Sequence, residues 1–245
     1  MTLCIVGAGA MGRWLAGTLA DSEAAIELAF ADTDADAAEG AAAEFDADAV
    51  ALREGVPTTD RTFETVALAV PIPAVEAAVA DWAPYTEAAM LDLSGVMAEP
   101  VAAMRKRLPD RERASLHPLF APTLSPLLDA LRGAGNEPFE TTPAEHDDAM
   151  ATVQAKTHAA VLAWAIAGED VREEFHTPVS AGLSDLAATV TDGDARVYAD
   201  IQDAFGGADA VADAAREIAD ADGEAFAALY DEAGDAAEGL SGGDR

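Results

Sequence analysis

The sequence predicts an α/β fold in which a doubly wound parallel sheet is followed by an all-helical C-terminal domain. Up to about residue 117, short apolar runs alternate with helical stretches, the pattern of a parallel sheet with helices on both faces. A glycine-rich turn joins the first of these runs to the first helical stretch. From Thr142 onward the sequence has no strand pattern. We therefore expect one domain over residues 1–141 and a helical domain over residues 142–245.

The elements of the first domain follow from the lengths and spacing of the apolar runs. The predicted strands are 2–6, 26–31, 49–52, 65–70, 89–93 and 114–117. The predicted helices between them are 11–20, 35–44, 73–80 and 98–107. In such a sheet the carboxyl ends of the strands share one edge, and ligands bind in the crevice outside that edge.

The helices of the second domain are delimited by capping residues and glycines. Thr142 and Glu145 have the spacing of a capping box, with Pro143 at the first helical position, and this helix should run to about Ala167. Further helices are predicted from Thr177-Pro178, from Asp194 to the break at Gly206-Gly207, and from about Ala208 toward Gly239 with a candidate interruption at Gly223. Apolar spacing predicts one buried face on each helix. The expected inward residues are Met150, Val153, Val161, Leu162 and Ala165, then Val179, Leu183, Leu186 and Val190, then Val197, Ile201 and Phe205.

The residues Gly7-Ala8-Gly9-Ala10-Met11-Gly12 form a G-x-G-x-x-G turn between the first predicted strand and the first predicted helix. Gly7 permits the tight turn, Gly9 lets the backbone approach a pyrophosphate, and Gly12 lets helix and strand pack closely. Around Ala10 and Met11, the unpaired N–H groups and the dipole of the helix start favour an anion. This is the pattern of a Rossmann-type dinucleotide-binding domain.

Asp32 indicates which dinucleotide would bind. The second predicted strand ends at Asp32, about 20 residues past the last glycine, where an acidic residue holds the adenosine ribose hydroxyls. A carboxylate there repels a 2′-phosphate, and residues 33–36 include no arginine to receive one, so we expect NAD rather than NADP. Pro71, after the fourth predicted strand, is expected at the nicotinamide-side rim. The alternative is a glycine turn that binds no dinucleotide, with Asp32 a surface acid.

The composition is strongly acidic. Aspartate and glutamate number 46 against 14 lysine and arginine residues, so the formal charge is −32, and the acids are spread along the whole chain. Such a field repels nucleic acid and anionic membranes. We interpret it as adaptation to high salt, which screens self-repulsion, rather than as the mark of an acidic interaction protein.

Other features predict a soluble cytoplasmic protein. Cys4 is the only cysteine, which excludes a disulfide framework, and no Cys/His group has the spacing of a metal site. No apolar run is long enough to cross a bilayer. The first predicted strand begins next to Met1, so we expect no signal peptide.

Histidine is the side chain best suited to proton transfer near neutral pH, and the sequence has four. His117 lies at the carboxyl end of a predicted strand, where it either exchanges a proton with a ligand or holds a turn. His158 lies four residues after Gln154, so the two share a helix face; the alternative is a half-buried structural histidine. We expect a structural role for His146 and a loop position for His176.

Three motifs resemble those of the prephenate dehydrogenase family. Ser115-Leu116-His117-Pro118-Leu119-Phe120-Ala121-Pro122 resembles the family's histidine-proline motif. The segment 153–158 is similar to its second histidine motif, and the segment 194–202 to a further helix motif of archaeal members. With the glycine turn and the acidic, haloarchaeal-like composition, the resemblance covers nearly the whole chain. It implies NAD-dependent oxidative decarboxylation of prephenate to 4-hydroxyphenylpyruvate, a step of tyrosine biosynthesis.

The resemblance implies roles for four residues. His117 would accept the proton of the ring hydroxyl while hydride leaves the same carbon. Ser94 would take the part of a catalytic serine. His158, together with Gln154, would bind or orient the substrate. We also expect a homodimer through the helical domain, because alanine-rich, lightly packed helices often gain stability by pairing with another subunit.

The chain departs from the family pattern at the end of its fifth predicted strand and in its helical half. Gly95 stands where the family has its serine, and Met97 stands where it has a lysine, which leaves Ser94 one residue early. The family's substrate-binding arginine aligns with Thr189. The segment 121–138 is shorter than in other members.

Two other interpretations remain open at this point. A different two-domain NAD(P)-dependent dehydrogenase or imine reductase would share the glycine turn and the helical domain, and Lys156 is the candidate for the helical lysine that many of them use. A dinucleotide-binding protein without catalysis would account for the absent serine and arginine. The histidine-proline motif favours the prephenate dehydrogenase interpretation over both.

Overall fold

A parallel sheet organises the first part of the chain. The structure is a computed structural model that describes residues 1–20, 25–108, 110, 112–115 and 125–240. Its strands are β1 (Thr2–Val6), β2 (Glu27–Ala31), β3 (Asp48–Ala49), β4 (Leu52–Arg53), β5 (Val56–Pro57), β6 (Phe63–Leu68), β7 (Thr86–Asp92) and β8 (Glu112–Ser115). Six of them form one sheet in the order β3-β2-β1-β6-β7-β8, with every pair parallel. The order runs outward from β1 in both directions, which confirms the predicted doubly wound fold.

Helices make up the rest of the regular structure. The first six are α1 (Ala10–Ala20), α2 (Ala35–Glu44), α3 (Val75–Trp82), α4 (Ala98–Arg107), α5 (Ser125–Gly133) and α6 (Pro143–Met150). A π-helical segment, Ala151–Lys156, follows directly after α6. The remaining helices are α7 (Thr157–Ala167), α8 (Pro178–Thr191), α9 (Ala195–Phe205), α10 (Ala208–Asp220) and α11 (Gly223–Leu240). The chain divides into two compact units, Met1–Met150 and Ala151–Arg245.

The side chains of β1 alternate between two hydrophobic cores, one on each face of the sheet. Leu3 and Ile5 belong to the core that contains Phe30. Cys4 belongs to the other core, which contains Trp82. Burial raises the pKa of the Cys4 thiol far above its ordinary value, so this thiol stays protonated and unreactive in the folded protein.

Capping residues begin the helices of the C-terminal half where the sequence predicted. The Thr142 hydroxyl accepts a hydrogen bond of 3.2 Å from the Glu145 N–H at the start of α6. Thr177 and Ser180 form a full capping box at the start of α8. The expected interruption near Gly223 is also present, since α10 ends at Asp220 and α11 begins at Gly223.

Three details of the elements differ from expectation. The predicted strand 49–52 is only partly right, because β3 ends at Ala49 and β4 turns back into β5. Glu54 (φ 54°) and Gly55 (φ 84°) form the tight two-residue turn of that hairpin. Helix α5 and the π segment were not predicted from the sequence.

Several helix faces of the second unit are less buried than their apolar spacing predicts. Val161 and Ile201 are buried as expected. Val153, Val179, Leu186 and Val197 were also expected to point inward, but they are 59%, 74%, 53% and 53% exposed. The spacing identified apolar faces correctly, yet the described residues leave more than half of each of these four residues exposed.

The described helices include none with the length and apolar character needed to cross a bilayer.

Candidate active site

One row of backbone partners lies at the carboxyl edge of the sheet. Val6 pairs with Ala31 on one side and with Leu68 on the other. Leu68 pairs in turn with Asp92, and Asp92 with Ser115. Each of these residues is the last of its strand, so the segments that follow all start from one edge. In a doubly wound sheet this is the edge outside which ligands bind.

The segments that leave this edge carry most of the residues expected in the site. Gly7 follows β1, Asp32 follows β2, and Ser94 lies two residues beyond β7. Pro71 lies three residues beyond β6 and is exposed. His117, the expected proton acceptor, lies outside the described residues; β8 ends at Ser115, two positions earlier in the sequence.

The glycine turn is held by two close approaches of the backbone. Gly7 has φ +108°, and a Cβ built on it would lie 2.2 Å from the carbonyl oxygen of Ala69. A Cβ on Gly12 would lie 2.0 Å from the carbonyl oxygen of Gly7. Both separations are far below van der Waals contact, so neither position accepts a side chain without moving the turn. These contacts are those expected of the first and third glycines of the motif.

Gly9 differs from the other two glycines because the space beside it is open. A Cβ on Gly9 would meet no atom within 4 Å. Gly9, Ala10 and Met11 are all exposed at the N-terminus of α1. The backbone N–H groups here can therefore receive an anionic group, as the sequence predicted.

Asp32 is fixed against the glycine turn by its own carboxylate. Its Oδ2 accepts a hydrogen bond of 2.7 Å from the Ala8 N–H, and its Oδ1 accepts one of 2.9 Å from the Asp34 N–H. The side chain is half-buried. The structure therefore brings together the two parts of the expected dinucleotide site, the turn and the acid.

Arg13 is a second residue attached to the turn, and sequence reasoning missed it. Its Nε donates a hydrogen bond of 3.0 Å to the Ala8 carbonyl, and its guanidinium also pairs with Glu44 of α2. Arg13 thus links the turn to two neighbouring elements. The sequence contains one indication of this role, because Arg13 is the only basic residue among the first 50.

Ser94 and Asp92 form a polar pair at the end of β7. The Ser94 hydroxyl donates a hydrogen bond of 2.8 Å to Asp92 Oδ2. Asp92 is only 1% exposed, so its carboxylate depends on donors within the protein. The bond orients the Ser94 hydroxyl and leaves its oxygen lone pairs available to accept a hydrogen bond from a ligand or a neighbour.

Gly95 and Met97, the two residues that depart from the family pattern, have structural roles. Gly95 has φ +82°, a conformation that a serine there would adopt only with strain. Met97 is buried, and its N–H donates a hydrogen bond of 2.8 Å to Asp147 Oδ1. Asp147 Oδ2 accepts a further bond of 3.0 Å from the Ala98 N–H. Asp147 of α6 therefore caps the N-terminus of α4, a helix whose own sequence supplies no capping side chain.

His146 is structural, as its position predicted. The residue is 5% exposed, and its Nδ1 lies 2.8 Å from Asp147 Oδ1. The imidazole therefore supports the carboxylate that caps α4.

A second group of polar residues lies in the unit 151–245. His158 of α7 and Tyr198 of α9 meet edge to face, with ring centroids 4.8 Å apart and an interplanar angle of 79°. One turn along α9, the Gln202 side-chain amide donates a hydrogen bond of 2.7 Å to the Ala155 carbonyl in the π segment. Gln154, the other residue expected to contact substrate, precedes Ala155 in the same segment. We call His158, Gln154, Tyr198 and Gln202 the helical-unit cluster.

The helical-unit cluster contains buried polar atoms that the protein does not satisfy. Among the described residues, Gln154 Oε1, His158 Nδ1 and Gln202 Oε1 have no hydrogen-bond partner. Burial also lowers the pKa of His158, so its imidazole is neutral at pH 7. A neutral ring nitrogen and two amide oxygens can accept hydrogen bonds from a ligand.

Comparison with known proteins identifies the family of this chain. No family model matches the chain. A 4-amino-4-deoxyprephenate dehydrogenase of Streptomyces pristinaespiralis is 31% identical, in a match that covers 69% of this chain and 69% of that protein. The chain belongs to the prephenate dehydrogenase family.

Solved structures agree with this membership at the level of the fold. Prephenate dehydrogenase from A. aeolicus, in complex with hydroxyphenyl propionate and NAD+, superimposes with a TM-score of 0.67 at 16% identity, over 87% of this chain and 86% of that one. Synechocystis arogenate dehydrogenase gives a TM-score of 0.58 at 16% identity, over 98% and 100%. The predicted Rossmann-type sheet and helical C-terminal part are confirmed as the fold of this family.

Other residues singled out in this family member have local roles. Thr189, expected from the sequence to stand at the position of the family's arginine, donates its hydroxyl to the Asp185 carbonyl at 2.9 Å. His176 Nδ1 lies 3.3 Å from the Ser180 hydroxyl beside the start of α8. Lys156 is exposed at the end of the π segment, and Arg196 is exposed in the first turn of α9. Within the described ranges, no cluster of histidine, cysteine and carboxylate side chains could hold a metal ion.

Two glycines of the turn predict different outcomes for the same substitution. Gly12→Ala should lower the free energy of unfolding by about 1–3 kcal/mol, because its methyl group would overlap the Gly7 carbonyl. Gly9→Ala should change it by less than about 0.5 kcal/mol, because nothing lies within reach. Urea unfolding of the two variants and the parent protein measures both effects. Equal stability of Gly12→Ala and Gly9→Ala would show that the close approach is not present in solution.

Proposed function

We propose that this protein is an NAD-dependent dehydrogenase of the cytoplasm that converts prephenate to 4-hydroxyphenylpyruvate in tyrosine biosynthesis. The observation that carries the proposal is the row of strand ends, from which the glycine turn and the segments with Asp32 and Ser94 depart. The row ends at Ser115, and His117 comes two positions later in the sequence. This row supports a cofactor and a proton acceptor at one edge of the sheet. Membership of the prephenate dehydrogenase family supports the reaction type.

NAD fits the residues of the turn. The open space beside Gly9 admits a pyrophosphate, and Gly7 and Gly12 keep the turn tight around it. Asp32 faces the turn through its bond to the Ala8 N–H and carries the charge that favours ribose hydroxyls over a 2′-phosphate. Exposed Pro71 is assigned to the nicotinamide-side rim. When bound, the nicotinamide supplies the acceptor for a hydride.

In this proposal His117 removes the proton of the ring hydroxyl. The ring carbon that bears this hydroxyl releases a hydride and becomes a carbonyl carbon. The bond between the ring and its carboxylate then breaks, and the electron pair of that bond completes the aromatic ring. The phenolate oxygen takes a proton to complete 4-hydroxyphenylpyruvate, with CO₂ as the other product. A neutral imidazole is suited to the first step near pH 7. Ser94, oriented by Asp92, supports the histidine or the reacting oxygen through its free lone pairs.

His158 and Gln154 are proposed to bind the substrate rather than to react with it. Their unpartnered atoms accept hydrogen bonds, and the lowered pKa of His158 keeps its ring uncharged. Thr189 cannot replace an arginine as a bidentate partner of a carboxylate. We therefore expect this protein to bind a dicarboxylate less tightly than members that keep the arginine.

A second candidate substrate is favoured by the Streptomyces relative. That relative is named for 4-amino-4-deoxyprephenate, so the family includes a dehydrogenase whose substrate is an amino derivative of prephenate. A member named for arogenate has the same fold. All three acids therefore belong in one substrate panel. The further alternatives are an imine reductase that uses exposed Lys156 and a dinucleotide-binding protein without turnover.

The proposal predicts NADH formation that depends on His117. In molar KCl the protein should reduce NAD when given prephenate, and His117→Asn should lower turnover by about 10² or more, because a proton acceptor is removed. Absorbance at 340 nm measures the rate. His176→Asn is the matched control, because His176 lies beside the start of α8 and has no part in the proposed reaction. It should leave turnover within about twofold of the parent protein.

The outcomes separate the alternatives. An unchanged rate in His117→Asn would remove that residue from the mechanism. NAD binding without turnover of any acid in the panel would favour the non-catalytic alternative. NADP turned over in preference to NAD would contradict the role given to Asp32.

We further propose that two copies associate through the helical unit. The supporting observation is that Ile166 and Val179 are 84% and 74% exposed, on helices whose spacing predicts buried faces. A second copy would remove this apolar surface from water.

This predicts a dimer that weakens when the exposed face becomes polar. Sedimentation equilibrium in molar KCl should give twice the mass of the 25.1 kDa chain. The double change Ile166→Ser and Val179→Ser should raise the dissociation constant about tenfold or more. Val56→Ser, at an exposed valine of the first unit, is the control and should leave it unchanged. A monomeric parent protein would end this part of the proposal.

We also propose that the protein is adapted to high salt. The formal charge of −32 makes intramolecular repulsion strong in dilute buffer, and molar salt shortens its range to about 3 Å. The melting temperature should therefore rise steeply between dilute buffer and molar KCl. Equal melting temperatures in the two conditions would contradict the proposal.

A further inference from the structure

We propose that Tyr198 and Gln202 of α9 are positioning residues, which hold the π segment and the His158 ring in the geometry that receives substrate. The inference rests on the proposed function in one respect, since it takes His158 and Gln154 as the substrate-binding groups. It goes beyond that function by assigning a task to the third helix of the C-terminal unit.

The π segment is the part of the unit that needs support. A π turn widens the helix, weakens its regular ladder of hydrogen bonds and is found often at functional sites. Two carbonyls inside the segment receive side-chain donors. The Thr157 hydroxyl donates to the Thr152 carbonyl at 3.0 Å, and Gln202 Nε2 donates to the Ala155 carbonyl at 2.7 Å. The Thr157 donor directly follows the π segment in the sequence, whereas the Gln202 donor comes from α9.

The loop after α9 also lies against the π segment. A Cβ on Gly207 would lie 2.7 Å from the Ala155 carbonyl carbon and 2.8 Å from the Lys156 nitrogen. Only a glycine allows this approach, so α9 and its end are seated closely on the segment that carries Gln154. Gln202 and Gly207 thus hold the same short stretch from two points.

Tyr198 supports the imidazole in a different way. Its ring meets His158 edge to face at 4.8 Å, a contact that restricts the rotation of the imidazole. Tyr198 is itself confined, because a Cβ on Gly193 would lie 3.0 Å from both its Cε2 and its hydroxyl oxygen. The ring is therefore held between the turn that begins α9 and the His158 side chain.

The unsatisfied atoms distinguish this arrangement from ordinary helix packing. Gln202 Nε2 is used by the Ala155 carbonyl, which fixes the direction of Gln202 Oε1. That oxygen, Gln154 Oε1 and His158 Nδ1 are buried without a partner in the described part of the chain. Buried polar atoms are normally hydrogen-bonded, and each exception calls for an explanation. Hydroxyl or ammonium groups of the substrate are the donors that would complete them.

The test combines spectroscopy of the histidine ring with steady-state kinetics. The variants are Tyr198→Leu, which removes the ring, Tyr198→Phe, which keeps it, and Gln202→Glu, which is isosteric but cannot donate when ionised. Tyr230→Leu is the matched control, because Tyr230 is an exposed tyrosine of the same unit. The His158 ring signals are assigned by their loss in His158→Asn, and thermal unfolding verifies that each variant is folded.

Tyr198→Leu should shift the His158 ring signals and raise KM for the ring substrate about fivefold or more, with kcat within about twofold. Gln202→Glu should raise KM in the same way at pH 8, without removing the ring contact. Tyr198→Phe should restore both the signals and KM of the parent protein. Tyr230→Leu should leave both unchanged.

The proposal is overturned if Tyr198→Leu keeps the parental His158 signals and KM, or if Tyr230→Leu changes them equally. If Tyr198→Leu does not fold, parental kinetics in Gln202→Glu overturn the role of α9. Failure of the proposed function has a different signature, namely a parent protein that reduces NAD with none of the ring acids. In that case the ring signals alone decide whether Tyr198 positions His158.

Discussion

The close approach of backbone atoms at the start of α1 is the constraint on which the first unit depends. Gly7 lies against the Ala69 carbonyl and Gly12 against the Gly7 carbonyl, so β1, α1 and the segment after β6 meet at one point. A side chain at either position would separate these elements. The position of Asp32 follows from the same contact, because the Ala8 N–H inside the turn holds its carboxylate. The position of the Asp32 carboxylate is thus coupled to glycine packing.

The acidic composition imposes a second constraint, which is repulsion between neighbouring carboxylates. Arginine side chains reduce this repulsion at two places in the first unit. Arg61 donates to Glu27 and Asp48 at 2.6 Å each, and so joins β2 and β3 to the segment before β6. Arg13 joins the glycine turn to Glu44. Exposed pairs of this kind contribute only about 0–1 kcal/mol each. They reduce repulsion where acidic elements converge.

The sheet and the turn could be predicted because their signals are local in the sequence. Apolar runs and glycine spacing identify the strands and the turn without knowledge of the rest of the chain, and the acid after β2 is found beside that turn. The π segment could not be predicted, since Gln202 reaches Ala155 across 47 residues of sequence. Solvent exposure at Val179 was also missed, because helical spacing shows that a face is apolar but does not show what covers it. Ser94 could be proposed from its position, whereas its bond to Asp92 depends on the backbone around Gly95.

A π segment contains one residue more than the regular helix that would replace it. Removing a single residue from Ala151–Lys156 would restore α-helical geometry and turn the preceding residues by about 100° relative to His158. Gln154 would then change its orientation relative to His158. A relative with an unbroken α-helix at this point would align with a one-residue gap there, and loss of one codon is the smallest genetic change that would separate the two side chains.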